Sequence, residues 1–224
     1  GIKGLFNKTT QTDTSIILYK KQSQGVKNLV FPEPAMGEDG KLKTVRKGVL
    51  QFDLEVKGKA AHAGLDPEGG ASAILELSHL VQTLHGMTDL DRGLSLNAGV
   101  VSGGTRANVI APVATAEVDV RILTLADAEE VEARIRALTT TVPGTTLVIN
   151  RSAFIPPLEA NERNRALWER AREAGRELGM ELEGITAGGG SDGNTTSQVT
   201  ATLDGLGAVG DGAHAAHEFI YVDR

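Results

Sequence analysis

The stretch LQFDLEVKG, residues 50–58, alternates strictly between apolar and polar side chains. Leu50, Phe52, Leu54 and Val56 fall on one face, and the polar residues between them fall on the other. Because successive strand residues point to opposite faces, this period of two predicts a half-buried β-strand. Other elements must cover the apolar face of that strand.

Two helices are predicted near this strand. Residues 69–86, GGASAILELSHLVQTLHG, place Ile74, Leu77, Val81 and Leu84 at helical spacing, and Gly86 is a suitable end. Residues 126–140 predict a second amphipathic helix, with early Glu and later Arg residues that suit the helix dipole.

Three further strands are predicted in SLNAGVVSGG (residues 95–104), ATAEVDVRIL (114–123) and TTLVINRSAF (145–154). The resulting order, β-α-β-β-α-β, predicts a ferredoxin-like domain over residues 45–156. Such a domain has a four-stranded antiparallel sheet with two helices on one side.

Segments 1–44 and 157–224 flank this domain, and Pro156 and Pro157 mark its end. We expect the two segments to be parts of one α/β domain into which the ferredoxin-like domain is inserted. Residues 1–30 hold five Lys and no Arg, Glu or Ala, whereas no Lys follows Lys59. Our hypothesis is that residues 1–30 are foreign or poorly determined.

Composition limits the classes of partner. The net charge of -6 and pI near 5.4 give no basic face for nucleic acid. No apolar run is long enough for a membrane span, and no signal peptide is visible, so the cytoplasm is favoured while the compartment stays undetermined. The chain has no Cys, so a bound metal needs His, Asp or Glu ligands.

Two residues are candidate metal ligands, each with a plain alternative. His214 follows the glycines of GDGAHAAHEFI, residues 210–220, and is either a ligand or a solvated surface histidine. Glu33 lies between Pro32 and Pro34 after an apolar run, and is either a carboxylate in a cleft or part of a surface turn. Spacing does not decide between these interpretations.

Four motifs occur together in a particular order. They are GKAAHAG (residues 58–64), GGTRANVIA (103–111), AGGGSDGN (187–194) and GDGAHAAHEFI (210–220). In this order they resemble the M20 metallopeptidases, most closely the glutamate carboxypeptidase group, over residues 30–224. The resemblance implies the C-terminal part of an α/β zinc hydrolase that carries an inserted lid or dimerisation domain.

The family uses two zinc ions per active site to activate water for attack on an amide carbonyl. By resemblance, Glu33 matches a ligand of one zinc and His214 a ligand of the other. His217 falls at a variable neighbouring position. The resemblance also implies a homodimer formed through the lid domain.

The remaining site residues are also assigned by resemblance. His62 matches the lid histidine that reaches a partner's active site and stabilises the oxyanion. Asn108 and Arg121 match residues that bind the substrate's carboxylate. Lys41 and Arg151 match basic residues of glutamate-cleaving relatives, although each could be a solvated surface charge.

The AGGGSDGN motif adds two expectations. Gly189 lies in a glycine loop, residues 188–190, whose backbone is expected to approach the substrate. Asp192 is expected to cap the following helix.

The family's His-x-Asp motif, bridging Asp and Glu-Glu pair are incomplete in this sequence. Thr10 and Gln11 lie near where the Glu-Glu pair is expected. We therefore expect a hydrolase of a C-terminal peptide bond or an N-acyl amino acid in the full-length protein, and a chain that is incomplete and inactive by itself. A non-catalytic dimerisation or amino-acid-binding module is the main alternative, and a free-standing ferredoxin-like regulatory domain is a third.

Overall fold

The computed structural model describes residues 41–207 and four short strands outside that range. The strands are β1 (Ile17–Tyr19), β2 (Asn28–Val30), β3 (Leu42–Arg46), β4 (Gly48–Lys57), β5 (Ser95–Gly103), β6 (Val113–Ile122), β7 (Thr146–Ile155), β8 (Gly184–Ala187), β9 (Ala201–Leu203), β10 (Gly210–Asp211) and β11 (Phe219–Ile220). The α-helices are α1 (Ala73–His85), α2 (Leu125–Arg136), α3 (Glu162–Glu177) and α4 (Asp192–Thr196), and a 3-10 turn covers Pro67–Gly69. No helix of the described residues is long and apolar enough to cross a membrane.

The chain divides into two compact units. One is the continuous segment Gly48–Ile155, and the other combines Gly1–Lys47 with Pro156–Arg224. We call the first the lid unit and the second the flanking unit.

The lid unit is a four-stranded antiparallel sheet in the order β5-β6-β4-β7, joined by α1 and α2. Its chain order is β4-α1-β5-β6-α2-β7, so the predicted fold class is confirmed. Register is set by ten consecutive pairs between β4 and β6, from Gly48 opposite Ile122 to Lys57 opposite Val113. A one-residue slip would turn every apolar side chain of β4 away from the core.

The lid core follows the alternation of the strands. Leu50, Phe52, Leu54 and Val56 of β4 are almost fully buried, and they pack with the inward residues of β6 and both helices. Ile74, predicted to face inward, is 47% exposed, because the buried stripe of α1 starts one residue earlier. That stripe consists of Ala73, Glu76, Leu77, Leu80 and Leu84.

In the flanking unit, β3 pairs with β8 in parallel. A second sheet has the order β1-β2-β9, with β2 and β9 parallel, and β10 pairs antiparallel with β11. The sixteen-residue helix α3 is capped by Asn161, whose side chain accepts a hydrogen bond from the Asn164 amide. Only Asn164 and Gly175 are buried on α3 among the described residues.

Candidate functional site

Two loops meet beyond one end of the lid sheet and bring His62 and Asn108 together. The Ala63 amide donates to the carbonyl oxygen of Asn108 at 3.0 Å, and the Ile110 amide donates to that of Ala61 at 3.0 Å. His62 and Val109 thereby form an antiparallel bridge. Both His62 and Asn108 are exposed, so this end of the sheet presents an imidazole beside an amide.

The backbone geometry explains why glycine occupies two positions in the motifs that contain His62 and Asn108. A Cβ on Gly58 would lie 2.1 Å from the carbonyl oxygen of Ala71, in the place where Lys59 bridges to Ala71. Gly104 has φ +74°, a conformation that favours glycine, where the chain turns from β5 towards the Asn108 loop. Both positions therefore shape the loops that carry the polar side chains.

Arg121 lies at the opposite end of the same sheet. It pairs in register with Val49 and Ser95, whereas the His62 and Asn108 loops extend beyond Lys57 and Val113. Arg121 is eight residue steps from Val113 along β6, which corresponds to roughly 26 Å at about 3.3 Å per step. The Arg121 side chain hydrogen-bonds Asp119 at 2.7 and 3.1 Å. One chain therefore holds Arg121 far from both His62 and Asn108, and so separates the two residues predicted to bind the substrate's carboxylate.

Arg151 lies on the other face of the sheet from Arg121. It is opposite Phe52 in register, on the helix side, where its Nη1 contacts Glu132 of α2 at 2.6 Å. Its guanidinium also lies 5.3 Å from the centre of the Phe154 ring. The structure therefore does not bring Arg121 and Arg151 together to hold one carboxylate.

The pKa of Glu132 is lowered from its ordinary value. Partial burial raises it, but hydrogen bonds from Arg136 and Arg151 outweigh that effect and stabilise the charged carboxylate. Binding of a substrate to Arg151 would require this ion pair to open.

Lys41 and Gly189 are in the flanking unit and both have partners. The Lys41 ammonium contacts Glu183 at 2.9 Å. The carbonyl oxygen of Gly189 accepts a hydrogen bond from Nη1 of Arg46 at 2.9 Å. A Cβ added at Gly188 or Gly189 would meet nothing within 4 Å, so the described residues give no packing reason for glycine there.

A buried ion pair holds the glycine loop, and no sequence pattern indicated it. Arg46 is 4% exposed and Asp204 is fully buried, and Nε of Arg46 contacts Oδ2 of Asp204. Asp204 also accepts hydrogen bonds from Ser191 Oγ and the Gly205 amide, each at 2.6 Å. The glycine loop is thus held at two points: Arg46 binds the Gly189 carbonyl oxygen, and Asp204 binds the Ser191 hydroxyl. The two charged residues are 158 positions apart, so no local pattern could have revealed the pair.

Helix α4 is capped by Ser191, and the expectation that Asp192 is the cap was wrong. Ser191 Oγ accepts from the Gly193 amide, and Oδ1 of Asn194 accepts from the Ser191 amide. Asn194 is fully buried, and its Nδ2 donates to the carbonyl oxygens of Lys47 and Pro156 at 3.1 and 2.8 Å. Lys47 and Pro156 are the residues directly before and after the lid unit in the chain. Asn194 therefore holds together the two chain segments that connect to the lid unit.

The predicted zinc ligands Glu33 and His214 lie outside the described residues, as does His217. Within residues 41–207 and the four short strands, no group of three or more His, Asp or Glu side chains could hold a metal ion. Asp204, the most buried carboxylate near the glycine loop, already has Arg46, Ser191 and Gly205 as partners. The described residues therefore do not fit a zinc site.

The family comparison matches the region that carries the His62 and Asn108 loops. Residues 44–146 match the peptidase dimerisation domain of the M20 family. The chain thus carries the peptidase dimerisation domain of the M20 family. It is 29% identical over 190 residues to carboxypeptidase G2 of Pseudomonas sp. (strain RS-16), a match that covers 82% of this chain and 45% of the relative.

Two other comparisons give a relative in sequence and a solved structure of similar fold. A Haemophilus influenzae homologue of a p-aminobenzoyl-glutamate hydrolase chain is 39% identical over 72 residues, which cover 32% of this chain and 17% of the relative. The crystal structure of aminopeptidase PepT from Bacillus cereus has a TM-score of 0.68 and 22% identity, over 81% of this chain and 49% of that structure. The chain thus spans less than half the length of these curated relatives.

Proposed function

We propose that the full-length protein hydrolyses the amide bond of a C-terminal peptide or an N-acyl amino acid, with glutamate as the favoured amino acid. The family match supports this reaction class, as do the names of two relatives, carboxypeptidase G2 and the p-aminobenzoyl-glutamate hydrolase homologue. In this proposal residues 45–156 are the lid domain, and 1–44 and 157–224 belong to the catalytic domain.

The main structural support for the proposal is that His62 and Asn108 lie far from Arg121 within one lid sheet. His62 and Asn108 lie in loops beyond Val113, and Val113 is itself roughly 26 Å from Arg121 at about 3.3 Å per residue along β6. An amide substrate with a terminal carboxylate is far shorter than that. We therefore assign His62 and Asn108 to the active site of a partner subunit, and Arg121 to the site of its own subunit.

Each side chain then has a chemical task. Hydrolysis adds water to the amide carbonyl carbon, and negative charge develops on the carbonyl oxygen before the C–N bond breaks. His62 donates a hydrogen bond to that oxygen, and Arg121 holds the substrate's carboxylate with its planar pair of donors. Gly189 presents backbone to the substrate, and Lys41 and Arg151 supply positive charge when their ion pairs with Glu183 and Glu132 open.

Strand β5 is the edge that we assign to the homodimer. Its last residues, from Gly99 to Gly103, are all exposed and uncharged, and Val100 and Val101 are 52% and 57% exposed. The other edge, β7, carries the charged Arg151. Both edge strands have a register shift, β7 opposite Gln51 and Phe52 and β5 between Ala98 and Val100, so irregularity does not separate them. Charge protects an edge from pairing, so the uncharged end of β5 is better suited to a second copy of the sheet.

Zinc is the metal proposed for this reaction, with two ions per active site. Glu33 and His214 are the proposed ligands within this sequence, and the proposal for zinc rests on the family resemblance. A bound zinc pair would supply an activated water and a polarised carbonyl.

The test is complementation between two inactive variants of the full-length protein, with an N-acyl-glutamate as substrate. His62→Ala and Arg121→Ala should each lower kcat/KM by about 100-fold or more. After denaturation and joint refolding, half of the dimers combine one copy of each variant, and each has one intact site. Activity should therefore return to about a quarter of the wild-type value.

The control is the same mixture with Val101→Lys in both copies, which should block pairing at β5 and prevent recovery. Absence of recovery in dimers of the original variants would contradict the assignment of His62 and Arg121 to different subunits. Substrate binding without turnover by the wild-type protein would contradict hydrolysis and favour a binding module.

A further inference from the structure

The imidazole of His62 turns back on its own loop. Its Nδ1 accepts hydrogen bonds from the backbone amides of Gly64 at 3.2 Å and Leu65 at 3.1 Å. A backbone N–H can only donate, so Nδ1 must offer its lone pair. A neutral imidazole carries one ring proton, and that proton is then on Nε2.

The loop fixes this arrangement through its backbone. The bonds from Ala63 to Asn108 and from Ile110 to Ala61 hold the chain on both sides of His62. The carbonyl oxygen of His62 accepts from the Leu65 and Asp66 amides at 3.2 and 2.9 Å, which closes a tight turn around the side chain. The residues that orient the ring are therefore next to it in the sequence and are themselves anchored to the second loop.

We propose that the Gly64 and Leu65 amides fix His62 in the Nε2–H tautomer, so that Nε2 is the atom that donates to the substrate's carbonyl oxygen. This inference rests on the proposed function of His62 and adds which nitrogen acts and which residues select it. Gly64 and Leu65 are positioning residues, because they act through His62.

The arrangement also defines what His62 does not do. A histidine that serves as a general base through Nε2 commonly donates from Nδ1–H to a carboxylate or carbonyl, which leaves Nε2 free to accept a proton. Here two donors face Nδ1, so Nε2 already bears the proton. His62 is therefore built to stabilise negative charge and not to remove a proton from water.

Ring NMR of the wild-type chain tests the tautomer directly. With ¹⁵N-labelled histidine, long-range ¹H–¹⁵N correlations distinguish Nε2–H from Nδ1–H, and the signals of His62 are those lost in His62→Gln. The spectra are to be recorded at about pH 8.5, a pH at which histidine side chains in general are neutral. The Nε2–H pattern is expected, and an Nδ1–H pattern would overturn the proposal.

Gly64 offers a matched pair of variants. Gly64→Ala keeps the amide donor, and its Cβ would meet only the His62 ring at the ordinary distances of 3.6 and 3.7 Å. Gly64→Pro removes the donor. The proline variant should shift the ring towards a mixture of tautomers, whereas the alanine variant should keep the wild-type pattern.

In the full-length protein, Gly64→Pro should lower kcat by about tenfold with little change in KM, because the oxyanion contact forms mainly in the transition state. Leu65→Pro removes the second donor and replaces Gly64→Pro if that variant fails to fold. An unchanged tautomer in both proline variants would refute the role of the amides. The NMR result does not depend on activity, so failure of hydrolysis would leave the tautomer assignment standing.

Discussion

The lid unit and the flanking unit bury different kinds of side chain. The lid core is a continuous cluster of apolar residues from one face of the sheet and one stripe of each helix. In the described part of the flanking unit, several of the most buried side chains are polar, including Arg46, Asn194, Thr202 and Asp204. The lid unit depends mainly on apolar area removed from water, whereas the described part of the flanking unit depends more on hydrogen bonds that satisfy buried polar groups.

This difference has a functional consequence. The lid strands hold His62 and Arg121 at the two ends of one sheet, with their separation set by strand length. The polar network of the flanking unit holds the glycine loop at Gly189 and Ser191, where backbone groups are proposed to meet substrate. A network of this kind specifies one arrangement, because each alternative leaves a buried polar group without a partner.

The largest effect is expected in the flanking unit, on replacement of Asp204 by Ala. The change leaves the buried Arg46 guanidinium without its charge partner and should lower the free energy of unfolding by about 3–5 kcal/mol. Urea denaturation followed by circular dichroism measures this loss.

Asp127→Ala is the matched control in the lid unit. Asp127 pairs with Arg92, whose side chain is 42% exposed and also contacts Glu130. Since the Arg92 guanidinium stays in contact with water, the loss of stability should be clearly smaller than for Asp204→Ala. Equal losses would mean that the Arg46–Asp204 pair is no more important than a partly exposed one.

A second substitution tests the apolar side of the comparison. Leu77 of α1 is 2% exposed, and Leu77→Ala should cost about 2–5 kcal/mol through lost burial and a cavity. Ile74→Ala on the same helix should cost under about 1 kcal/mol, because Ile74 is 47% exposed. Thermal unfolding of the two variants measures the difference, and a larger loss for Ile74→Ala would contradict the observed stripe.

The fold of the lid unit follows more directly from the sequence than that of the flanking unit. Alternation in residues 50–58 predicted β4 and its inward face, because strand geometry and apolar burial have the same local period. The helix spacing misplaced Ile74, because the true stripe includes Glu76, which an apolar pattern does not count. Glu76 is fully buried and accepts hydrogen bonds from the amides of Thr141 and Val142.

Polar contacts between distant segments were not predictable in this way. No local pattern marks Asp204, because its partner Arg46 is 158 positions away, or Asn194, because its partners are backbone carbonyls at Lys47 and Pro156. Motifs identify His62, Asn108 and Arg121. The motifs gave no distances, so the separation of Arg121 from the other two emerged only from strand register.

The smallest effect is expected on the lid surface, at the pair between Arg151 and Glu132. Arg151→Gln should cost about 0.5 kcal/mol at pH 7, since the Arg151 side chain is 40% exposed and Arg136 still contacts Glu132. The folded-state pKa of Glu132 lies below its ordinary value of 4.5, so the stabilisation is present above that value and is lost as the pH falls through the folded pKa. Urea unfolding at pH 7 and pH 3 should show a difference between wild type and variant that shrinks at the lower pH.

Arg151→Lys retains the charge and serves as the control for Arg151→Gln. A stability difference that persists unchanged at pH 3 would mean that Arg151 acts through its packing on Phe154 and not through Glu132. The same variants separate structure from substrate binding in the full-length protein. If Arg151 binds substrate, Arg151→Gln raises KM for a glutamate substrate far more than its small loss of stability explains. An unchanged KM would mean that Arg151 has only a structural role on the lid surface. Recognition of the substrate carboxylate would then rest on Arg121 and Asn108.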